Sequence, residues 1–203
     1  MISQLNLVLA GVGGQGTLVA GKLLGVVATR LNLDVKVSEV HGMAQRGGSV
    51  ITYVRMAPRV HSPIVESGCA DVLLAFEELE ALRWSHLLAE KGVLLINRNQ
   101  VVPMSVSMGK ATYPENIIQN LQQAAGEKAL VRALPATELA LQAGSSRAVN
   151  MVMIGAMCAG LELPEPIFRE AIDSVFPEKL RALNQQAFSL GSAIMKDSKT
   201  LGI

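Results

Sequence analysis

Three glycines near the amino terminus have a spacing that suits the binding of a phosphate group. Gly11, Gly13 and Gly16 match the pattern GxGxxG directly after an apolar run, and Glu39 follows further along the chain. In dinucleotide-binding proteins such glycines let the backbone approach a pyrophosphate, the next helix holds its charge, and an acidic residue binds the ribose. The alternative is that the glycines only permit a tight turn and close contact between helix and strand. The candidate glycine loop comprises Gly11, Gly13, Gly14, Gln15 and Gly16.

A second group of polar residues and glycines lies between positions 41 and 49, with the sequence His-Gly-Met-Ala-Gln-Arg-Gly-Gly-Ser. A guanidinium binds a carboxylate or phosphate through two hydrogen bonds, and glycine N–H groups can bind the same anion. The alternative is an ordinary loop with a solvated arginine. A dinucleotide-binding enzyme does not require this loop, so its presence counts against a nicotinamide cofactor. The residues predicted to contact an anion or a partner are His41, Gln45, Arg46, Gly47, Gly48 and Ser49.

Few residues in the sequence suit a metal or a catalytic nucleophile. The two cysteines, Cys69 and Cys158, are far apart, and the three histidines lack metal-ligand spacing. An iron–sulfur cluster needs about four thiolates, so we predict no cluster and no other metal on this chain. The cysteines are interpreted as small buried apolar residues. The acidic residues between Glu66 and Glu80 are interpreted as a solvated helix start, and no catalytic residue is assigned.

The two loops are predicted to connect alternating strands and helices. Residues 5–10 form a strand, 17–31 a helix and 34–40 a second strand, so they predict a strand–helix–strand unit with a parallel pair. A strand at 50–56 follows. Continuous apolar runs predict buried strands at 72–76 and 93–96, with an amphipathic helix between them. Further predictions are a strand at 101–108, a helix from Pro114 to about Ala125, a last strand at 130–134, and helices from Ala136 onward, including 147–161 and 177–194.

Together these elements predict an α/β fold: a three-layer, Rossmann-like arrangement with a mostly parallel sheet and a helical C-terminal third. The chain has 203 residues, a length that suits one domain, and 50% of them are hydrophobic. A net charge of +1 and 3% aromatic residues argue against nucleic acid as a partner. The apolar segment 147–161 is too short to span a membrane and is predicted to be a buried or interface helix. We expect no signal peptide and a cytoplasmic location.

Several of these motifs resemble the gamma-type domain of 2-oxoacid:ferredoxin oxidoreductases. The resemblance is carried by residues Gly11–Gly16, Ser38–Val50, Ser62–Ile64, Ala70–Glu77 and Glu80–Arg83, which occur in the family's order. The His-Gly-Met-Ala-Gln-Arg-Gly-Gly run looks more narrowly like the indolepyruvate type of these enzymes, in which this domain is a separate chain. In length and α/β character the resemblance extends over the whole chain, which implies a single gamma-type domain over residues 1–203.

The resemblance implies a subunit that is inactive alone. The complete enzyme decarboxylates an aryl 2-oxoacid such as indolepyruvate, passes electrons to ferredoxin and releases an acyl-coenzyme A. Thiamine diphosphate and the iron–sulfur clusters belong to a larger partner subunit, so no cofactor is expected on this chain. A permanent partner would also explain the apolar helix at 147–161, because such subunits bury apolar surface against each other.

The resemblance supplies no catalytic residue for this chain, so the role of the loops is a hypothesis from the residues. We hypothesise that Arg46 and its flanking glycines face the partner's active site and bind a coenzyme A phosphate, a substrate carboxylate or a carboxylate of the partner. Three alternatives remain: a stand-alone NAD(P)-binding oxidoreductase that uses the glycine loop and Glu39, a gamma subunit of the pyruvate or 2-oxoglutarate type, and a purely structural partner domain.

Overall fold

Apolar segments of the chain form a six-stranded mixed sheet with the strand order β2-β3-β1-β4-β5-β6. The computed structural model describes residues 4–42 and 48–200, with side chains up to residue 196. The strands are β1 (Leu5–Val12), β2 (Asp34–His41), β3 (Ser49–Ala57), β4 (Ala70–Ala75), β5 (Leu88–Asn97) and β6 (Leu130–Leu134). The α-helices are α1 (Thr17–Arg30), α2 (Glu78–Trp84), α3 (Met104–Ser107), α4 (Ile117–Ala125), α5 (Ala136–Gln142), α6 (Val149–Gly160), α7 (Glu165–Val175) and α8 (Glu178–Thr200).

The predicted pairing of the first two strands is wrong, because β3 lies between them. β3 is antiparallel to both β1 and β2, whereas β1, β4, β5 and β6 form parallel pairs. A connection of seven residues, 42–48, joins β2 to β3. So short a connection allows only an antiparallel hairpin, because a parallel crossover needs a dozen residues or more. The hairpin returns β3 alongside β1 and moves β2 to the edge of the sheet.

Helices cover both faces of the sheet, which confirms the predicted three-layer α/β fold. One face carries Leu7, Leu9 and Leu74, which pack with α1 and the C-terminal helices α5 to α8. The other face packs against α2 and α4 through residues such as Val8 and Leu73. All regular elements after β6 are helical. Side chains of the central strands are therefore buried on both faces, as their continuous apolar runs predict.

Two local predictions differ from the structure. Residues 101–108 form no strand; they contain α3, which starts after Pro103 and leaves Met104 and Met108 exposed. Proline lacks an N–H group and is disfavoured inside a sheet, so this segment lies outside it. Helix α4 begins at Ile117 rather than at Pro114. Among the described residues, no helix combines the length and the apolarity required to cross a membrane.

Helix α6, the apolar segment predicted to be buried or at an interface, lies inside the chain's own core. Ten of its twelve residues are buried, and it packs mainly against α8. The partner-contact explanation for its apolar surface is therefore wrong. The two helices approach closely: a Cβ atom on Gly155 would lie 2.1 Å from the carbonyl oxygen of Phe188, and one on Gly191 would lie 1.9 Å from that of Val152.

This crossing predicts that Gly155→Ala destabilises the fold strongly. The added methyl group would overlap backbone that cannot rotate away, so we expect a loss of about 2 kcal/mol or more in the free energy of unfolding, measured by urea denaturation. Gly25→Ala in α1 is the matched control, because outside its own turn of helix no atom lies within 4 Å of its Cβ position. That variant should gain about 0.5–1 kcal/mol from helix propensity. Equal effects of the two substitutions would contradict the account of the crossing.

Candidate functional site

The glycine loop is a tight turn between β1 and α1 at the carboxyl end of the sheet. The N–H of Gly13 donates to the carbonyl of Gly48 at 3.0 Å, which ties the loop to the start of β3. Gly14 and Gly16 have φ angles of 99° and 78°. These lie in the left-handed region that favours glycine. The pattern therefore has a local structural reason whether or not the loop binds a ligand.

The side chain of Gln15 joins the ends of β1 and β4. Its Oε1 accepts a hydrogen bond from the N–H of Val12 at 2.8 Å, and its Nε2 donates to the carbonyl of Phe76 at 3.2 Å. A Cβ atom on Gly11 would lie 2.6 Å from that Oε1. A side chain at position 11 would therefore displace the Gln15 amide and crowd Phe76. Sequence reasoning placed Gln15 in the loop without identifying this role.

Gly16 is held from the other side by Asn150 of α6. Asn150 is 3% exposed, and its Nδ2 donates to the carbonyl of Gly16 at 3.2 Å. A Cβ atom on Gly16 would lie 2.7 Å from the same nitrogen. The one amide in the most apolar helix thus fixes the start of α1. Sequence reasoning missed this residue, although a lone asparagine in an apolar helix marks a polar group that needs a partner.

Glu39, the proposed ribose ligand of a dinucleotide site, is already engaged. Its Oε2 accepts hydrogen bonds from the hydroxyls of Thr17 at 3.1 Å and Thr52 at 3.0 Å. In a dinucleotide site the acidic residue lies on the strand next to β1. Here β3 occupies that place, so Glu39 of β2 lies one strand further from the glycine loop. Thr17 begins α1, so the carboxylate lies near the positive end of the helix dipole. This geometry favours charge balance at the helix start over ribose binding.

A cavity of about 400 Å³ opens beside the loop, and Leu18, Glu39, His41 and Val50 line it together with the glycines. Among the described lining residues there is one carboxylate and no lysine or arginine. Binding of an anion in this cavity would therefore depend on the amino end of α1 and on a cation from outside the described lining. Its apolar rim includes Leu18, which is 61% exposed.

The second predicted loop is described only at its two ends. Gln45, Arg46 and Gly47 lie in 43–47, outside the described residues. His41 is exposed at the end of β2. At the start of β3, the Ser49 hydroxyl donates to Oε2 of Glu80. The structure thus brings His41 and Gly48 to the edge of the glycine-loop cavity.

Glu77 and Glu80 are buried, so the prediction of a solvated acidic helix start is wrong for them. Glu77 is 1% exposed and caps α2, and its carboxylate accepts from Val101 N–H at 3.0 Å and the Tyr113 hydroxyl at 2.6 Å. Glu80 is 3% exposed and also accepts from Trp84 Nε1 at 3.1 Å. Their position immediately after a buried strand was the signal in the sequence that could have predicted their burial. Burial and the Glu77 hydrogen bond raise the pKa of Tyr113 well above its usual value.

The cysteines do not fit an iron–sulfur cluster on this chain. Cys69 is exposed just before β4, whereas Cys158 is buried in α6. Burial, with a smaller contribution from Glu165, raises the pKa of the Cys158 thiol to about 12, which disfavours the thiolate that binds iron. The sequence holds two cysteines, and a cluster requires about four thiolates. No group of three or more metal-ligating side chains occurs among the residues that the structure describes.

Comparisons with known proteins show the class of protein to which this chain belongs. Indolepyruvate oxidoreductase subunit IorB of Thermococcus kodakarensis is 41% identical over 200 residues, which cover 97% of this chain and 98% of that protein. The keto/oxoacid ferredoxin oxidoreductase gamma subunit of Geobacter sulfurreducens has a similar fold, with a TM-score of 0.70 and 24% identity over 95% of this chain and 99% of that one. The 2-oxoglutarate:ferredoxin oxidoreductase of Magnetococcus marinus gives a TM-score of 0.72 and 21% identity over 97% of this chain and 32% of the longer one.

The fold and these relatives define a subunit of the 2-oxoacid oxidoreductase class. The family model for pyruvate ferredoxin/flavodoxin oxidoreductase matches residues 6–194, and the chain belongs to that family. The family predicted from the loop motifs is thereby confirmed. The alternative of a stand-alone NAD(P)-binding enzyme loses support, because the relative that matches over nearly the full length is an oxidoreductase subunit and β3 separates Glu39 from the strand that precedes the glycine loop.

The bridging role of Gln15 predicts that Gln15→Glu destabilises the chain. A carboxylate keeps the acceptor for Val12 but loses the donor and places an oxygen against the carbonyl of Phe76. We expect a loss of about 1–3 kcal/mol in the free energy of unfolding at pH 7, measured by urea denaturation. Gln123→Glu, on the exposed face of α4, is the matched control and should change stability by less than about 0.5 kcal/mol. If both variants are equally stable, Gln15 does not hold the loop.

Proposed function

We propose that this chain is the small subunit of an indolepyruvate-type 2-oxoacid:ferredoxin oxidoreductase. The observation that carries the proposal is the 41% identity to an indolepyruvate oxidoreductase subunit over nearly the full length of both proteins. The complete enzyme would oxidatively decarboxylate indolepyruvate or a related aryl pyruvate. With coenzyme A, the products are the aryl-acetyl-coenzyme A, carbon dioxide and reduced ferredoxin.

In this proposal the redox chemistry belongs to a larger partner subunit. The thiol chemistry of this chain supports that division, because Cys69 and the buried Cys158 cannot supply the ligands of a cluster. Thiamine diphosphate and the iron–sulfur clusters would therefore reside on the partner, which would pass electrons to ferredoxin. Residues 1–203 would act as one gamma-type domain in a cytoplasmic heteromer.

The glycine-loop cavity is the part of this chain proposed to face the partner. Three features support this: the cavity is open, its rim includes the exposed Leu18, and both ends of the 41–49 loop meet it. We assign anion contact to Arg46 with Gly47 and Gly48, because the described lining contains no lysine or arginine.

The substrate assignment predicts a ranking of 2-oxoacids for the reconstituted enzyme. Ferredoxin reduction with coenzyme A should have a kcat/KM at least tenfold higher for indolepyruvate than for pyruvate or 2-oxoglutarate, because an aryl side chain fills an apolar pocket that the smaller acids leave empty. The measurement is anaerobic and uses this chain assembled with its partner. A preference for pyruvate or 2-oxoglutarate would instead establish the other gamma-subunit type.

The role of Arg46 predicts a kinetic defect without an assembly defect. Arg46→Ala in the assembled enzyme should raise KM for coenzyme A or for the 2-oxoacid about tenfold or more, because a charge-assisted pair to an anion is lost. Arg46→Lys should restore part of the loss by keeping the charge. Unchanged kinetic constants for both substrates, together with unchanged assembly, would rule out the contact and leave this loop a purely structural element.

A further inference from the structure

The outer edge of β6 borders a groove that has no role in the proposed catalytic face. The groove has a volume of about 700 Å³, with Ile118 and Gln122 of α4 on one side and Ile194 of α8 on the other. Residues 130–134 of β6 form its floor. Because α4 and α8 pack against opposite faces of the sheet, the groove lies where a seventh strand would extend it.

The backbone of β6 presents hydrogen-bonding groups to this groove. The carbonyl of Leu134 accepts from Arg98 N–H at 2.9 Å and so faces β5. Along a strand successive residues direct their backbone groups to opposite sides, so Val131 and Ala133 direct theirs outward. The contact from Gln122 Nε2 to the carbonyl of Val131, at 3.4 Å, agrees with this direction. Within the described ranges no strand lies beyond β6.

The groove also has a definite charge. Arg98 lines it, and no aspartate or glutamate is among its described lining residues. Arg132 also lines the groove, but its Nη1 already donates to Sδ of Met195 at 3.7 Å. Arg98 is exposed. A segment with acidic and apolar side chains would match the Arg98 guanidinium and the apolar side chain of Leu130, which is 40% exposed.

We infer that the β6 edge binds an extended, acidic segment of the partner subunit by strand addition. This inference rests on the proposed assembly, whose partner supplies the segment. The main chain of the segment pairs with Val131 and Ala133, and a carboxylate of the segment lies against Arg98. Strand addition derives its affinity from main-chain hydrogen bonds and its specificity from alternate side chains. It also covers an open edge, which would otherwise promote aggregation.

The test compares amide hydrogen exchange in the free chain and in the complex with the co-expressed partner. The amides of Val131 and Ala133 should exchange at least tenfold more slowly in the complex. The amides of Arg132 and Leu134, which face β5, should be protected in both states. Proline is tolerated at an outward-facing edge position, so Ala133→Pro should weaken assembly tenfold or more with little change in helical circular dichroism. Ala133→Ser keeps the N–H and is its matched control.

A charge reversal at Arg98 tests the electrostatic contact with the segment and leaves the backbone of β6 unchanged. Arg98→Glu should weaken assembly at least tenfold, and less so at high salt. Arg59→Glu, an exposed arginine beyond the opposite end of the sheet, should leave assembly unchanged.

The outcomes separate this inference from the proposed function. A complex that forms without protection of Val131 and Ala133, and tolerates Ala133→Pro and Arg98→Glu, overturns the inference and leaves the proposed function standing. Protection already present in the free chain would mean that another segment of this chain, or a second copy, occupies the edge, and it also overturns the inference. Failure to form any complex contradicts the proposed assembly itself.

Discussion

The structure depends on how closely the glycine loop approaches its neighbours. The Gln15 amide lies over Gly11 and joins β1 to β4, and the Asn150 amide lies against Gly16 and joins the loop to α6. A methyl group on either glycine would displace one of these amides from its hydrogen bonds. Asn150 reaches the loop because α6 lies in the core, where it packs against α8. The hydrogen bonds of two amides packed against these glycines therefore connect the sheet, the helical layer and the start of α1.

The same geometry changes the interpretation of the GxGxxG pattern. GxGxxG followed by an acidic residue predicts a dinucleotide site when the acid lies on the strand next to the first. Here β3 occupies that place, and Glu39 accepts from Thr17 and Thr52 instead. A carboxylate near the amino end of α1 balances the helix dipole that would otherwise attract a phosphate. Close packing at Gly11 and Gly16 and the positive φ angles of Gly14 and Gly16 thus account for these glycines, and the cavity beside them is open.

Local patterns predicted most of the elements but not all of their neighbours. The apolar runs at 72–76 and 93–96 identified central strands, since strands buried on both faces need apolar side chains throughout. The position of β3 between β1 and β2 depends on the hairpin, because hydrophobic periodicity indicates which face of a strand is buried but not which strand lies next to it. Glu77 and Glu80 were misread because their burial depends on partners distant in sequence: Tyr113 and Ser49. The family was predictable because its motifs are short and ordered, whereas the role of Gln15 required coordinates.

The central claim, that this chain is the small subunit of a ferredoxin-dependent 2-oxoacid oxidoreductase, is tested most directly by anaerobic affinity purification of the chain from its native host. The account predicts that a larger, cysteine-rich polypeptide copurifies in stoichiometric amount with broad iron–sulfur absorbance. The complex should reduce ferredoxin when it is given indolepyruvate and coenzyme A. A colourless protein that purifies alone and binds NAD(H) would contradict the account.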